Sequence, residues 1–372
     1  MSMNEYFMNK ALVLALKAKG RTFPNPLVGA LVVKNGRIVG KGYHKRAGLA
    51  HAEVEAIKDA AKFARGGSTS LTTGAAMYVT LEPCTHYGRT PPCVDKILEV
   101  GIKKVFVGMA DPNPLNNGKG IRLLQEHAIA VETGILEDKL KKINQPFIKY
   151  ITQKMPFVTV KLGQSLDGKI ATKDGQSQWI TSDKSREFAH RLRSNYDAIM
   201  VGVNTVIKDN PFLASGSSDR QLTRIIVDSH LSTPANANIF QKAHPVIIAT
   251  LKETLGQETE NRNLLSQKAR ILEVKENNGQ INLYDLFKKL ARLELSNILV
   301  EGGGILIGSL FDCNLVDKVL FFIAPKIIGG KDSLSSVMGK GVTRIDKAVK
   351  LNEVKIKKLG EDFLVEGVVH TY

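Results

Sequence analysis

Apolar strands alternate with amphipathic helices along this chain in two separate series, and no other property of the sequence restricts the fold as much. The first series begins with a helix near residues 4–19 and a hairpin at Asn35-Gly36, a two-residue turn signal between apolar runs. The second begins with the apolar run FVTVKLG after Pro156. This alternation predicts an α/β fold with a mostly parallel sheet in each series.

Two prolines separate the two series. Pro146 and Pro156 bracket a short segment that follows the closing helix of the first series, and proline does not continue a helix interior. A chain of 372 residues is also too long for one ordinary hydrophobic core. We therefore predict two domains, residues 1–146 and residues 147–372.

Hydropathy and cysteine content predict a cytoplasmic protein. No apolar run approaches the roughly 18 residues of a membrane span, and the run at 11–16 is too short for a signal peptide. Three cysteines are too few for a disulfide framework. We expect no membrane association from this pattern.

The net charge bears on the class of partner. It is +16, divided as +9 in residues 1–146 and +7 in the remainder, without a basic tail. A diffuse positive field suits phosphorylated small molecules at least as well as a polynucleotide. We expect a phosphorylated small-molecule substrate and no nucleic acid.

His51, Cys84 and Cys93 form the most informative pattern of the first domain. His51 lies two residues before Glu53, and Cys84 follows Pro83, which is the His-x-Glu and Pro-Cys order of zinc deaminases. One imidazole and two thiolates leave the fourth zinc position open, as in catalytic sites. We predict that these three residues bind Zn²⁺.

Glu53 is the predicted catalytic residue. Two thiolates neutralise the charge of the ion, so the bound water is a weaker acid than on a zinc with three histidines, and it needs a nearby base. A carboxyl two residues from a ligand can take that proton and deliver it to the substrate. Each motif alone is common in unrelated proteins, and it is their order along the chain that favours this interpretation.

The cysteine spacing departs from Cys-x2-Cys, because eight residues, THYGRTPP, separate the two thiols. With this longer loop, the runs TFPNPLVGALVVKNGRIVGKGYH, AHAEVEA and VTLEPCTHYGRTPPC resemble the deaminase half of the bifunctional deaminase–reductase family of riboflavin biosynthesis. The resemblance covers the whole first half and implies a cytidine-deaminase-like three-layer domain. It implies substrate contacts from Asn25, His44, His86 and Arg89. Apart from the family, these four are equally typical of turn, core or solvated loop positions.

A glycine run is the main candidate site of the second half, which lacks the GxGxxG of a Rossmann domain. Gly302-Gly303-Gly304 follows the strand NILVE and opens a helix, where backbone N–H groups can approach a phosphate. On its own the run is more typical of a tight strand-to-helix turn. The single tryptophan, Trp179, is on its own equally typical of a core residue, and Arg193 has the geometry to bind a phosphate bidentately.

The order of motifs in the second half decides between these alternatives. VKLGQSLDGKIAT, GQSQWITS, LRSNYDAIMVGVNTVIKDNPFL, IVD, LVEGGG and FFIAPKIIGG resemble the reductase half of the same family. This resemblance implies a dihydrofolate-reductase-like α/β domain that uses NADPH. It implies NADPH contacts at Gln164, Trp179, Thr205, Asp209, Ser229, Gly303, Gly304, Ile305, Leu306, Ile307, Gly308 and Ser309. It implies substrate contacts at Lys161, Ser177, Arg193, Leu213 and Glu301, with Lys161 toward the sugar phosphate.

The family implies two reactions in series on one phosphoribosylaminopyrimidine. The first removes the 2-amino group hydrolytically, and the second reduces the ribosyl chain to a ribityl chain with NADPH. The family also implies a homodimer or homotetramer. Two alternatives stay open: a nucleic-acid base deaminase with an accessory domain, and a zinc-stabilised binding protein without activity. The long cysteine loop and the reductase-like half argue against the first.

Overall fold

The computed structural model describes residues 1–372 apart from 64–71, 89, 216–221, 242–243, 257–258 and 371. The chain divides into two units, Met1–Lys154 with Tyr372 and Met155–Thr371. The predicted boundary at 146/147 lies within the helix Gln145–Gln153. Pro146 occupies the first turn of that helix, where proline is tolerated because first-turn N–H groups have no intrahelical acceptor.

A five-stranded sheet forms the centre of the first unit. Its strands are β1 (Gly29–Lys34), β2 (Arg37–Tyr43), β3 (Ala76–Leu81), β4 (Lys104–Met109) and β5 (Ala130–Thr133). Their order is β2-β1-β3-β4-β5, with β1 antiparallel to β2 and β3, and β3, β4 and β5 parallel. The predicted hairpin joins β1 and β2 through Asn35 and Gly36, which both have the positive φ that such a turn requires.

Helices cover both faces of this sheet. They are α1 (Met3–Leu16), α2 (Ala52–Phe63), α3 (Cys93–Glu99), α4 (Lys119–Glu126), α5 (Glu137–Ile143) and α6 (Gln145–Gln153). A Cβ at Gly29 would overlap Ala11 of α1, whereas a Cβ at Gly42, which pairs with Ala30, would overlap Ala52 of α2. Neighbouring residues of a strand point to opposite faces, so α1 and α2 lie on opposite sides, as the predicted three-layer domain requires.

A nine-stranded sheet forms the centre of the second unit. Its strands are β6 (Phe157–Ser165), β7 (Ala198–Gly202), β8 (Thr223–Val227), β9 (Val246–Leu251), β10 (Arg270–Val274), β13 (Asn297–Val300), β14 (Lys318–Ala324), β15 (Asn352–Leu359) and β16 (Asp362–Val368). The order is β10-β9-β8-β7-β13-β6-β14-β16-β15, and only the pairs β14–β16 and β16–β15 are antiparallel. A separate ribbon pairs β11 (Glu276–Asn277) with β12 (Gln280–Ile281).

Both faces of the central strands of this sheet are buried. The helices of the unit are α7 (Asp183–Leu192), α8 (Val203–Asp209), α9 (Lys252–Leu255), α10 (Glu260–Lys268), α11 (Leu283–Arg292) and α12 (Gly304–Asp312). In β7, Ala198 and Met200 belong to one apolar cluster, and Ile199 and Val201 belong to another. This double burial is the reason that the strand is a continuous apolar run in the sequence.

Two edge elements depart from the expected pattern. β10 and β15 were not predicted, and in β15 the first seven residues are exposed, including its apolar Val354 and Ile356. An exposed strand lacks the buried face that makes an alternating pattern readable. Among the described residues, no helix has the length and apolar character that crossing a membrane requires.

Candidate active sites

The three predicted zinc ligands meet in the first unit although they lie on three separate elements. His51 immediately precedes α2, Cys84 lies in the loop after β3, and Cys93 is the first residue of α3. Their ligand atoms all lie within 4.8 Å of one another. Nδ1 of His51 is 3.2 Å from Sγ of Cys93 and 3.6 Å from Sγ of Cys84.

This arrangement fits a tetrahedrally bound zinc ion. With the usual Zn–N and Zn–S bond lengths, two ligand atoms of one tetrahedron are roughly 3.5–3.8 Å apart. The separation of 3.6 Å between Nδ1 of His51 and Cys84 lies in this range, and the separation of 3.2 Å from Cys93 is slightly shorter. The hydrogen bond with Cys93 lowers the pKa of the Cys84 thiol to about 4, although burial opposes the shift. The thiolate is the form that binds zinc, so Cys84 is prepared for the metal.

Glu53 lies beside these ligands as the second residue of α2. Only 4% of its surface is exposed. Burial, and after it the negative charge of Cys84, raise the pKa of the Glu53 carboxyl to about 7, while His51 opposes the shift. A carboxyl that titrates near neutrality can both accept and release a proton, as a general acid–base requires.

Two of the four predicted substrate contacts bind each other. Nδ2 of Asn25 lies 3.1 Å from Nε2 of His44, whose Nδ1 lies 3.2 Å from the carbonyl oxygen of Ala50. Because a carbonyl only accepts, Nδ1 of His44 carries the proton and Nε2 accepts from Asn25. Burial lowers the pKa of His44, so the ring is neutral. It packs edge-on against His51, with ring centroids 5.4 Å apart.

The other two predicted contacts belong to the cysteine loop. His86 is half-buried, and its buried Nδ1 atom has no hydrogen-bond partner among the described residues. That nitrogen is therefore available to a ligand. Arg89, the fourth predicted contact, lies outside the described residues.

Glu82 is a functional residue that the sequence analysis missed. It follows β3 directly and is 3% exposed. Its Oε2 accepts the backbone N–H groups of Asp111 and Gly118 at 2.9 and 3.0 Å, and its Oε1 accepts those of Gly120 and Ile121 at 2.9 and 3.2 Å. Four backbone donors, three of them at the start of α4, thus fix this carboxylate two residues before Cys84.

Asn116 completes this support and was also missed. Its Oδ1 accepts from the backbone N–H and the hydroxyl of Thr85, both at 3.0 Å, and its Nδ2 donates to the Pro83 carbonyl at 3.3 Å and to Asp111 at 3.1 Å. The side chain of Asn116 therefore holds the residues on both sides of Cys84 by hydrogen bonds. The only sequence signal for this network was the glutamate of the EPC run.

A buried ion cluster connects three of the predicted contacts in the second unit. Arg193 donates from Nε and Nη2 to the two oxygens of Glu301 at 2.8 and 2.9 Å, and Lys161 donates to Oε2 at 3.4 Å. Burial alone would raise the pKa of Glu301, but the charges of Arg193 and Lys161 lower it to about 2. Nη1 of Arg193 donates to the Ala214 carbonyl at 2.9 Å. The bidentate face of Arg193 is thus used by Glu301 and not left free for a phosphate.

The remaining predicted substrate and ring contacts lie in loops. Ser177 donates to Asp209 at the end of α8, with the two oxygens 3.1 Å apart. Leu213 is buried with a positive φ of 46°. Trp179 is 63% exposed, which excludes the core-residue alternative, and the guanidinium carbon of Arg186 lies 4.3 Å from the centroid of its indole ring.

The glycine run at the start of α12 serves two purposes. Cβ atoms at Gly304 and Gly308 would overlap the backbone of Ser335 and Met338, so these two glycines permit close packing. Gly303 has open space, because the nearest atom to a Cβ there is Oγ1 of Thr205 at 3.7 Å. Leu306 and Ile307 are buried in the core, whereas Ile305 and Ser309 are not. Of these four side chains, those of Ile305 and Ser309 are therefore the ones open to a cofactor.

The predicted NADPH contacts follow the carboxyl ends of parallel strands. Gln164 lies near the end of β6, Thr205 in α8 after β7, Ser229 after β8, and Gly303 after β13. Ligands of open α/β sheets bind at this edge. The buried Oε1 of Gln164 has no hydrogen-bond partner among the described residues, which fits a cofactor group that would supply one. The carbonyl of Ser229 accepts from Thr250 and Thr254 at 3.1 and 2.8 Å.

Comparison with known proteins assigns both units. The description "Cytidine and deoxycytidylate deaminase zinc-binding region" matches residues 1–109, and "RibD C-terminal domain" matches residues 156–365, more than half of the chain. The riboflavin biosynthesis protein RibD of Aquifex aeolicus is 43% identical over 362 residues, which is 96% of each chain. This chain belongs to the RibD family. It is a bifunctional enzyme of riboflavin biosynthesis, a zinc-dependent deaminase fused to an NADPH-type reductase, as predicted.

Solved structures of the RibD family confirm the predicted fold class. A Thermotoga maritima protein described as a diaminohydroxyphosphoribosylaminopyrimidine deaminase/5-amino-6-(5-phosphoribosylamino)uracil reductase is 36% identical with a TM-score of 0.86, covering 99% of each chain. Acinetobacter baumannii RibD, in one crystal form, is 30% identical with a TM-score of 0.86 and the same coverage. The deaminase-like half and the reductase half therefore follow each other in the same order as in these relatives.

Proposed function

We propose that the first unit removes the 2-amino group of 2,5-diamino-6-(5-phosphoribosylamino)pyrimidin-4-one by hydrolysis, with Zn²⁺ held by His51, Cys84 and Cys93. The observation that carries this proposal is the meeting of one imidazole and two sulfurs within 4.8 Å, beside a buried carboxyl. The description of the Thermotoga maritima relative supports the choice of substrate. Zinc, when bound, supplies a polarised water as the nucleophile.

Glu53 performs the proton transfers of this reaction. Its carboxylate accepts a proton from the attacking water and delivers it to a pyrimidine ring nitrogen. It then carries the second proton, from the newly added hydroxyl group, to the departing amino group, so that the oxygen of the water stays on the ring as a carbonyl and the amine leaves as ammonia. Burial of the carboxyl raises its pKa, which favours its acting as a proton acceptor and donor in turn. Asn25, His44, His86 and Arg89 are the proposed substrate contacts around this centre.

We propose that the second unit reduces the deaminated product to a ribityl phosphate, with NADPH as the source of the hydride. NADPH would be held by Gln164, Trp179, Thr205, Asp209, Ser229 and the turn from Gly303 to Ser309. Lys161, Ser177, Arg193, Leu213 and Glu301 would hold the substrate. Lys161 and Arg193 share a single carboxylate, so the cluster keeps one net positive charge, which favours a phosphorylated substrate.

A coupled assay on the full chain tests both proposals. Ammonia release and the absorbance of NADPH are followed together from the diamino substrate, with and without a zinc chelator. We expect NADPH to fall only after ammonia appears, and the chelator to stop both signals. When the deaminated intermediate is supplied directly, the chelator should leave NADPH consumption unchanged. If a zinc-loaded chain produces neither signal, the proposed substrate is wrong.

We propose that the chain forms a homo-oligomer through the free edge of the second sheet. β15 is the last strand of that sheet, and Val354, Ile356 and Phe363 are 51%, 67% and 42% exposed. Phe363 pairs with Lys358, so all three apolar side chains lie on one face. Exposed apolar edges favour pairing with another chain. Sedimentation should give a dimer or tetramer that Ile356→Lys dissociates, whereas a monomeric parent chain would contradict this.

We propose a cytoplasmic location for the enzyme. All three cysteines are free thiols, including the exposed Cys313. A reducing compartment preserves such thiols and the zinc ligands among them. Cell fractionation tests this, and recovery of the protein in a membrane or extracellular fraction would contradict it.

A further inference from the structure

The long cysteine loop places a threonine against the zinc ligand His51. Oγ1 of Thr90 lies 3.1 Å from Nε2 of His51. The sulfurs of Cys84 and Cys93 lie near the other ring nitrogen, Nδ1. The two nitrogens of this imidazole therefore face different partners: one faces the metal position and the other faces a hydroxyl.

This division selects one tautomer of the ring. A nitrogen that binds a metal uses its lone pair, so the proton of a neutral imidazole must lie on the other nitrogen. In this geometry the proton is on Nε2 of His51 and points at Oγ1 of Thr90, which accepts it. A hydrogen bond at that position fixes both the tautomer and the rotation of the ring about the ligand atom.

The backbone around Thr90 fixes the hydroxyl in place. The carbonyl oxygen of Thr90 accepts from the N–H of Gly88 at 3.2 Å. Pro91 and Pro92 then join Thr90 to Cys93 at the start of α3. Proline restricts φ, so the distance between the hydroxyl and the metal ligand Cys93 varies little. A spacing of two residues between the cysteines could not contain both Thr90 and the two prolines.

We propose that Thr90 is a positioning residue of the zinc site, whose hydroxyl accepts the Nε2 proton of His51 and holds this ligand in its binding tautomer. The proposal rests on the zinc role of His51 proposed above. It gives the eight-residue cysteine loop a task in metal binding, separate from the substrate contacts expected of His86 and Arg89. Thr90 itself does not touch the reacting atoms.

Zinc affinity of the full chain tests this role directly. Thr90→Val removes the hydroxyl and keeps the shape of the side chain, so we expect zinc to bind about 10–100-fold more weakly, the usual effect of losing such a partner. Thr90→Ser keeps the hydroxyl and should bind zinc as the parent does. Affinity is measured by competition with a chromophoric chelator, and the absorption spectrum of the Co²⁺-substituted chain reports the ligand geometry. Tyr87→Phe, at a 77% exposed position of the same loop, is the matched control.

The outcomes separate this proposal from the zinc site itself. At saturating zinc we expect kcat of deamination to fall in Thr90→Val with KM little changed, while the circular dichroism spectrum and the melting temperature check that the variant folds. If Thr90→Val does not fold, Thr90→Ala provides the same comparison with a smaller side chain. Parent-like zinc affinity and an unchanged Co²⁺ spectrum in the valine or alanine variant would overturn the role of Thr90. A parent chain that binds no zinc would instead overturn the proposed function.

Discussion

Each unit has a buried carboxylate directly after a central strand, and the two are held in opposite ways. Glu82 follows β3 and accepts four backbone N–H groups. Glu301 follows β13 and is held by two cationic side chains, Arg193 and Lys161. Backbone donors are fixed by the fold, whereas lysine and arginine side chains can exchange partners.

Because of this difference, Glu82 can only support its loop, whereas the Glu301 cluster can respond to a ligand. Glu82 is completely engaged, so it can organise the Cys84 loop but cannot change partners when a ligand enters. In the Glu301 cluster the contact with Lys161 is the longest, at 3.4 Å, and a phosphate could compete for that ammonium group. The first unit thus has a prearranged metal site, and the second has charges that a substrate can redistribute.

The variant Glu53→Gln should distinguish the activities of the two units most clearly. Loss of the proton-transfer group should lower the rate of deamination by about 10²–10⁴-fold and leave reduction of the deaminated intermediate intact. Ammonia release and NADPH consumption measure the two steps. Glu55→Gln is the matched control, because Glu55 lies in the same turn and pairs with Lys45 at the surface. Equal loss of both activities in a folded Glu53→Gln chain would contradict independent sites.

Glu301→Gln tests whether the ion cluster of the second unit is needed for stability. Removal of one partner from a buried charged group leaves the others uncompensated, so we expect a loss of about 3–5 kcal/mol in the free energy of unfolding. Urea unfolding followed by fluorescence of Trp179, the only tryptophan, reports this unit. Asp346→Asn breaks an exposed pair with Arg344 and should cost no more than about 1 kcal/mol. Similar losses in both variants would show that burial of the cluster is unimportant.

Acid should remove the stabilisation that ionised Glu301 gives to the parent chain. The folded-state pKa of Glu301, about 2, lies below its ordinary 4.5, so its stabilisation is complete above pH 4.5 and is lost as the pH falls toward 2. The difference corresponds to about 3 kcal/mol. Unfolding of the parent and of Glu301→Gln is compared at pH 5 and pH 3. The gap between them should narrow at the lower pH, and a constant gap would contradict the assignment.

Glu82→Gln tests the backbone-held carboxylate by an isosteric change. The amide nitrogen would replace an oxygen that now accepts two buried N–H groups, so both lose their acceptor at about 1–3 kcal/mol each. We expect a lower melting temperature for the first unit and weaker zinc binding, with the reductase rate unchanged. Glu99→Gln, which changes an exposed residue paired with Lys96, is the control. Parent-like zinc affinity would limit Glu82 to a structural role.

The smallest expected effect concerns the glycines of α12. Gly308→Ala forces a methyl group into the backbone of Met338, which should destabilise the second unit by about 1–3 kcal/mol. Gly303→Ala has only ordinary contact with Thr205 and should leave the free energy of unfolding close to the parent value. Urea unfolding compares the two. Equal free energies of unfolding in the two variants would mean that residues 335–339 move away from position 308 without a loss of stability.

The sequence predicted best where chemistry and local order coincide. The zinc ligands could be chosen because few residue types bind zinc and because each lies at the end of a readable strand or helix. The roles of Glu82 and Asn116 were not predicted because their backbone partners lie 29–39 residues further along or earlier in the chain. No side-chain pattern records such contacts. The strand β15 was not predicted because none of its first seven residues is buried.

In the second unit, residue types alone did not predict which groups the side chains contact. Arg193 was singled out as a phosphate-binding residue because its type suggested a free guanidinium, but the structure places that guanidinium on Glu301, 108 residues away. Likewise, the glycine run suggested one purpose, whereas Gly308 is required by packing and Gly303 leaves open space. Pairing over such distances depends on the tertiary fold, which residue types do not specify.

The way in which Glu82 is held also determines how the molecule should respond to ionic strength. Dissolved salt screens charged side chains that remain partly accessible, such as Lys161 and Arg193, over about 8–10 Å. Backbone N–H groups in the interior carry no net charge to screen. Rising salt should therefore loosen the attraction of the second unit for an anionic substrate, while the metal-binding half keeps its geometry. A single chain would then contain one salt-sensitive ion cluster and one salt-tolerant metal site.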